Sequence, residues 1–528
     1  DAIVEGSDQL RLRIDAAPDR DRFDLDVRAR GSASGVLARL SGIRRPLALE
    51  IAGDGRWANW QGRAMARAGD AQIVDLALGN RAGAYTLGGM LAPGSITRGK
   101  LQRLSAPRVR VEGAGTFVNR RLDGRLSARS SALAIEATGI ADLGESAWRN
   151  LRIRARLLRP AALFPNMSGR NVELRAVLDG RFATASFDYR ITAPRLAFDN
   201  TGFEQARLAG KGRLSASPIA LPVRFTAARV TGVGDVAGGI LRNLSVDGIL
   251  RVTSTTLTGD DLRLRSDKLT GQISLLVDLR TGVYQVGLNG ALGRYLIPGL
   301  GVVDVTSRLR VVPGSGGRGT RVIGDGTAQM VRLDNGFFRS LAGGLPRIVT
   351  GLERTPDGIL HFRNLVLTGP SIRLVGNGYR RRDGTFVFAG AGQQAQYGPV
   401  TVKLDGRIER PTLDLQFRRP NDALGLQDVR LHLDPTAQGF TFTAAGQSRL
   451  GPFDGAGDIL LPRGADAQIA VQRLDVSGTR ATGMVTIVDD GFDGRLAVSG
   501  GGIDGEVVLR PANAVQRIET RLALRNAQ

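Results

Sequence analysis

Apolar and polar residues alternate along this chain in stretches of about 5 to 9 positions, and the alternation recurs from end to end. It is plain at Leu10, Leu12, Ile14; Phe23, Leu25, Val27; Leu47, Leu49, Ile51; Phe187, Tyr189, Ile191; and Ile273, Leu275, Val277, Leu279. It continues through Val303, Val305, Leu309, Val311; Val400, Val402, Leu404; Leu413, Leu415, Phe417; Val429, Leu431, Leu433; and Val507, Leu509. Successive side chains of a strand point to opposite faces, so a period of two predicts half-buried strands with one greasy and one wet face. No stretch gives way to a helical domain, and the expected class is all-β.

Glycine-containing turns separate the stretches. Asp-Gly-Arg recurs at Asp54, Asp123, Asp179, Asp405 and Asp493, and Asp-Gly suits the positive φ of tight hairpin turns, which predicts antiparallel neighbours. The turns keep no fixed spacing, which disfavours parallel β-helices, propellers and leucine-rich repeats. Helical periodicity is confined to Gly336–Leu352, where Phe337, Phe338, Leu341, Leu345, Ile348 and Leu352 recur at threes and fours and Pro346 divides the run, and to a short piece at Arg159–Phe164. Pro313–Gly319 reads as a long hairpin loop or a linker. With about 12 residues per strand and turn, the chain supplies roughly 44 strands and an unbroken sheet about 200 Å long. A greasy face of that extent aggregates unless the sheet curls to turn it inward, so the expected architecture is an elongated antiparallel sheet curled into a U-shaped or tubular groove, with one or two short helices.

Composition narrows the chemistry. The 528 residues include no cysteine and two histidines, which removes disulfides, thiol catalysis and Cys/His zinc sites. By length alone about three or four domains of roughly 150 residues are expected, but a chain of stacked rungs breaks that rule. Apolar residues at 42% are enough to fold despite 71 glycines. The net charge of +22 is almost wholly arginine, lysine occurring only at Lys100, Lys211, Lys268 and Lys403. Such a balance suits anionic neighbours, or a solvated face coloured by codon usage. No apolar run approaches the roughly 18 to 20 residues of a membrane span, and the start at Asp1-Ala-Ile-Val-Glu lacks a signal-like stretch, so the expectation is a soluble piece of a longer protein.

Motifs of catalysis are absent or fragmentary. Gly94-Ser-Ile-Thr-Arg-Gly-Lys100 follows most of a phosphate-binding loop, but Leu101 stands where the magnesium-holding Ser or Thr belongs. Gly232-x-Gly234-x-x-Ala237 and Gly390-x-Gly392-x-x-Ala395 open no strand-to-helix unit and read as turns. There is no Gly-x-Ser-x-Gly elbow and no His-Glu-x-x-His pair, and His361 and His432 stand alone in strand-like stretches. Aromatics at 5% are too sparse to interleave with the arginines as a nucleic-acid surface requires. The expectation is a protein without catalysis, cofactor, metal or nucleic acid.

The stretch Leu404-Asp-Gly-Arg-Ile-Glu-Arg-Pro-Thr-Leu-Asp-Leu-Gln-Phe417, then Leu426-Gln-Asp-Val-Arg-Leu-His-Leu433 and Gly446-Gln-Ser-Arg-Leu-Gly451, resembles the TamB family and the wider AsmA-like superfamily. The same cadence of glycine turn and alternating strand marks Gly326–Asn335 and Asp357–Leu367, so the resemblance is best over residues 320 to 510. Hence the expected division into segments 1–319, assigned on pattern, and 320–528, forming one continuous superstructure. The resemblance implies a periplasmic protein anchored to the inner membrane, whose U-shaped sheet encloses a hydrophobic groove. It implies phospholipid transport to the outer membrane, or assembly of outer-membrane proteins with a barrel partner of the TamA (Omp85-like) type. The alternating residues named above, Val311 apart, are the expected lining of that groove for phospholipid acyl chains. The alternative is a secreted or surface β-solenoid, an adhesin or autotransporter passenger, whose core is filled by its own side chains.

Overall fold

The computed structural model describes residues 2–3, 8–233, 239–297, 300–313, 320–420, 425–462, 465–488, 491–512 and 515–525. The protein is all-β, with 72% of residues in strands; the strands pair antiparallel, mostly with their neighbours in the chain, although Ala147–Leu157 passes over the short Met167–Arg170 to pair with Val172–Arg181 and Met167–Arg170 pairs with Ser186–Phe198, and the sheet does not close into a barrel. Thirty-six strands form among the described residues, fewer than the spacing rule suggests because several run to 13 or 14 residues.

Two compact units divide the chain: Asp1–Asp267 with Gln272–Val286, and Lys268–Gly271 with Gly287–Gln528. The expected border at 319 and 320 falls instead within one hairpin, where strand Gly301–Pro313 pairs with Thr320–Leu333 and Pro313 stands opposite Thr320. Register runs unbroken through that ladder from Val303 to Pro313, so the sheet has no seam there. The loop expected over Pro313–Gly319 lies outside the described residues at 314–319.

The Asp-Gly-Arg triplets are not turns. They lie within or at the end of strands Leu47–Arg56, Arg121–Arg129, Val172–Arg181, Gly398–Arg407 and Gly491–Ser499. Gly55, Gly124 and Gly494 sit where neighbouring backbone comes too close for a side chain: a Cβ on Gly55 would lie 2.5 Å from the Asn59 carbonyl oxygen, and one on Gly494 2.2 Å from that of Met484, whereas Gly180 and Gly406 take positive φ values of 103° and 118°. The flanking Asp and Arg share the opposite, wet face. The tight turns come elsewhere, as at Ala82-Gly83 (φ 48° and 81°), Asn119-Arg120 (49° and 61°) and Ser477-Gly478 (47° and 80°), whose paired positive φ values match the twist of a hairpin. Gly390 and Gly392 likewise lie inside strand Phe386–Gln394, and the Gly232–Ala237 match runs into residues 234–238, outside the described residues.

The described residues include the short α-helices α1 (Val36–Ser41), α2 (Gly99–Ser105), α3 (Pro160–Leu163) and α4 (Gly336–Ala342). Helix α3 falls at the expected Arg159–Phe164, while α1 and α2 carried no clear periodicity. The buried carboxylate of Asp8 accepts from the Ser32 and Leu37 amides at 2.9 and 3.0 Å, tying α1 down. Helix α4 covers only the first part of the expected 336–352. Gly343 and Gly344 at positive φ end it, and Arg347–Arg354 is a strand. Ile348 and Leu352 are four residues apart, a spacing that serves a strand as well as a helix; they pair with Ala328 and Gly324.

The first unit curls far enough for distant strands to touch. The Lys100 ammonium at the start of α2 donates to the Leu279 carbonyl at 3.1 Å and lies 5.6 Å from the Phe164 ring centre. Asn166 donates to the Gly282 carbonyl at 3.3 Å, and Phe198 meets Tyr284 edge-on at 6.4 Å. Accumulated twist brings such elements together across a multistranded sheet.

Candidate functional site

Register decides whether alternating residues share one face, and here it joins them. In the first unit Leu12 stands opposite Val27, Val27 opposite Ile51, and Ile51 opposite Ala64. Ile14, Leu25 and Gly53 form the row on one side, and Leu10, Ala29 and Leu49 the row on the other. Phe23 stands opposite Ala16 with its ring 4.7 Å from that of Trp57, and Leu47 is opposite Gly31. Farther along, Leu174–Ile191–Leu208–Phe225–Val246 cross five strands in one apolar row.

This face is not uniformly covered. Leu12 and Ile14 are 55% and 54% exposed, and Leu10, Leu49, Tyr85, Phe117, Leu122 and Leu126 also remain exposed on the strands between Gln9 and Arg129. Beyond them Met167, Val172, Ala193 and Ala206 close into a packed cluster with Ile191, Phe203 and Phe225 against it. Phe187 lies 6.1 Å from Tyr189. Tyr189 itself is buried, its hydroxyl donates to the Pro222 carbonyl at 2.9 Å, and burial pushes its phenol up to about 12. Ile273, Leu275 and Val277 are half-buried and alternate with exposed Gln272, Ser274 and Leu276. Leu279 lies past the strand end in a turn.

In the second unit the same face is largely filled. Val303 packs with Met330 and Leu333, and Val305 borders them; Leu309 and Val311 stand opposite Gly324 and Val322. Val400, Val402, Leu415 and Phe417 are buried with Ile372, Leu374 and Ala342 of α4, bordered by Val429 and Leu431. Leu413 and Leu433 are buried with Phe440, Phe442 and Ile459, bordered by Leu404 and Phe338 of α4. Phe338 also touches the Val303 cluster, so α4 lies in the curl of this sheet and occupies it. Val507 and Leu509 are half-buried opposite Thr520 and Ile518. The buried members of these clusters present no open surface to a ligand.

Phe440, Phe442, Ile372 and Leu374 escaped the sequence reading although each pair alternates. The glycines that make room for rings had no readable signal: Gly53 and Gly62 beneath Trp60, Gly212 beneath Phe187, and Gly376 and Gly390 beneath Phe388.

The opposite face carries the arginines. Arg63 grips Asp75 at 2.7 and 2.8 Å, and Arg381 grips Asp405 at 2.7 and 2.9 Å. Asp142 is buried and accepts from the Glu145 amide and from Arg121 and Arg149 at 3.1, 3.0 and 3.0 Å, which holds its carboxyl below the usual range. His432 lies between Asp414 and Asp434 at 2.7 and 3.1 Å, while His361 stands opposite Tyr379. Among the described residues no His/Asp/Glu cluster is able to hold a metal, and no helix is long and apolar enough to cross a membrane. No protein-family model matches the chain, and no curated protein is significantly similar to it.

Proposed function

We propose that this protein is a bridge-type lipid carrier of the Gram-negative envelope, which seats phospholipid acyl chains on its apolar face and moves them without chemistry. The observation that carries the reading is the uncovered apolar face of the first unit, with Leu12 and Ile14 more than half exposed in rows that register apolar to apolar. Exposed apolar area of this kind marks a binding surface. An acyl chain laid there leaves water at about 0.8 kcal/mol per CH₂, so a sixteen-carbon tail gains roughly 13 kcal/mol at most before ordering costs. Successive rows of similar residues offer near-equivalent positions, so a step along the face costs little beside release into water.

The setting follows from the TamB-like cadence: the periplasm, an inner-membrane anchor, and a barrel partner of the TamA type, with support for outer-membrane protein assembly as a companion duty. A second reading, a surface or secreted β-protein of adhesin type, draws on the second unit, where α4 and the Leu433–Phe440 cluster fill the curl with the chain's own side chains.

The test is lipid extraction and mass spectrometry of the purified full chain, beside the Leu12→Arg/Ile14→Arg and Leu275→Asp/Val277→Asp variants. Co-purifying phospholipid that falls in the folded variants supports carriage. A lipid-free wild type, or variants that retain lipid and sustain outer-membrane lipid supply in cells, sinks it and leaves the filled-core reading.

A further inference from the structure

On the wet face of the first unit, strands Leu133–Asp142, Ala147–Leu157, Val172–Arg181, Ser186–Phe198, Thr201–Arg213 and Ile219–Thr231 line a half-open cavity of about 1130 Å³. Its walls carry Arg152, Arg154, Arg175, Arg190, Arg207 and Arg224, against two carboxylates, Glu136 and Asp188. Asp188 is engaged by Lys211 outside the wall at 2.9 Å.

Register makes this cluster unusual. Arg154 stands directly opposite Arg175, and Arg175 directly opposite Arg190, so three guanidinium groups sit on adjacent strands in one row. Ala209 follows, then Arg224. Like charges placed opposite one another destabilise a sheet. Glu173 alone serves both Arg154 and Arg175, at 3.2 and 2.9 Å, and Asp247 holds Arg224 at 2.7 Å. Among the described residues no carboxylate pairs with Arg190 or Arg207. Between the arginines the wall is small or neutral, with Ala209, Val177, Thr192 and Thr226, which leaves open volume.

We infer that this cavity binds a ligand bearing several phosphate groups. Adjacent arginines project from strands about 4.8 Å apart, a backbone spacing that suits neighbouring phosphates of a chain or ring. Planar guanidinium forks grip phosphate oxygens bidentately, and a concave wall in which six arginines face two carboxylates concentrates anions. The wall has no aromatic residue on which a nucleobase would stack, which directs the site to phosphate rather than nucleic acid. The site lies on the face opposite the acyl-chain surface and stands whether or not that surface carries lipid.

Calorimetry of the full chain with inorganic tripolyphosphate tests it. The expected result is saturable binding at one site that weakens with salt, and roughly tenfold or more in Arg175→Gln and in Arg190→Gln/Arg207→Gln. Substituting Arg110 and Arg129, another directly opposed pair outside the cavity, leaves affinity unchanged. Circular dichroism verifies that each variant folds. Flotation with vesicles containing phosphatidate separates sources: capture competed by tripolyphosphate means phosphate on a lipid headgroup, and tripolyphosphate binding without capture means a soluble ligand. Absence of saturable tripolyphosphate binding to the folded wild type, or equal loss in the Arg110/Arg129 control, overturns the assignment.

Discussion

Tyr189 stands directly opposite Gly210 on the next strand, and the missing side chain of Gly210 is what lets the tyrosine ring lie across the sheet. A Cβ at Gly210 would meet the ring edge at 2.9 Å and the Pro222 carbonyl oxygen at 1.9 Å, the same oxygen that accepts the Tyr189 hydroxyl. Gly210→Val is therefore expected to cost about 1–3 kcal/mol by overpacking. Tyr189→Phe keeps the ring and loses one hydrogen bond, for about 1 kcal/mol. Urea denaturation with a near-ultraviolet probe measures both, and a neutral Gly210→Val would refute the close approach.

Open and closed parts of the apolar face differ in what truncation removes. Leu433 and Phe440 are 0% exposed, so Leu433→Ala is expected to cost about 2–5 kcal/mol, transfer and cavity together. Leu12 is 55% exposed, and Leu12→Ala is expected to stay within about 0.5 kcal/mol. Equal losses in denaturation would mean that Leu12 is covered in solution, and the uncovered surface would disappear with that result.

The class of the fold was legible because a two-residue period is a direct image of strand geometry, and residues such as Leu10, Leu12 and Ile14 share one face of their strand as their spacing implies. What escaped was set between strands. Asp-Gly-Arg carries turn chemistry locally, yet Gly55 and Gly494 are dictated by a neighbouring backbone that no local window contains. The helix expected to reach Leu352 ends at Ala342 because Ile348 and Leu352 satisfy both periods, and pairing with Ala328 and Gly324 decides for the strand. Exposure was equally hidden: Leu12 and Leu433 look alike in sequence, and only the curl and α4 make one open and the other core.

Lys100 and Asn166 hold the 279–282 turn to the region of α2 and α3 through the carbonyls of Leu279 and Gly282. Removing these donors leaves each strand ladder intact. Lys100→Ala with Asn166→Ala is expected to accelerate amide exchange in the 279–282 turn while the amides of Leu174–Leu178 stay protected. Unchanged exchange in the turn would show that the two contacts contribute nothing to its closure.

His432 offers a titration with a readable sign. Hydrogen bonds that the imidazolium donates to Asp414 and then to Asp434 raise its pKa above the ordinary 6.5, more than burial lowers it. A group whose folded pKa is raised stabilises fully below its unfolded value and loses that contribution as pH climbs through the folded one. Stability of the second unit is therefore expected to decline from pH 6.5 upward through the raised value, and His432→Gln to flatten that decline. The chain has only two histidines, so proton NMR resolves the His432 imidazole against His361. The expectation is a His432 midpoint clearly above 6.5 that falls back in Asp414→Asn; a midpoint at or below 6.5 would mean the two carboxylates do not hold the ring.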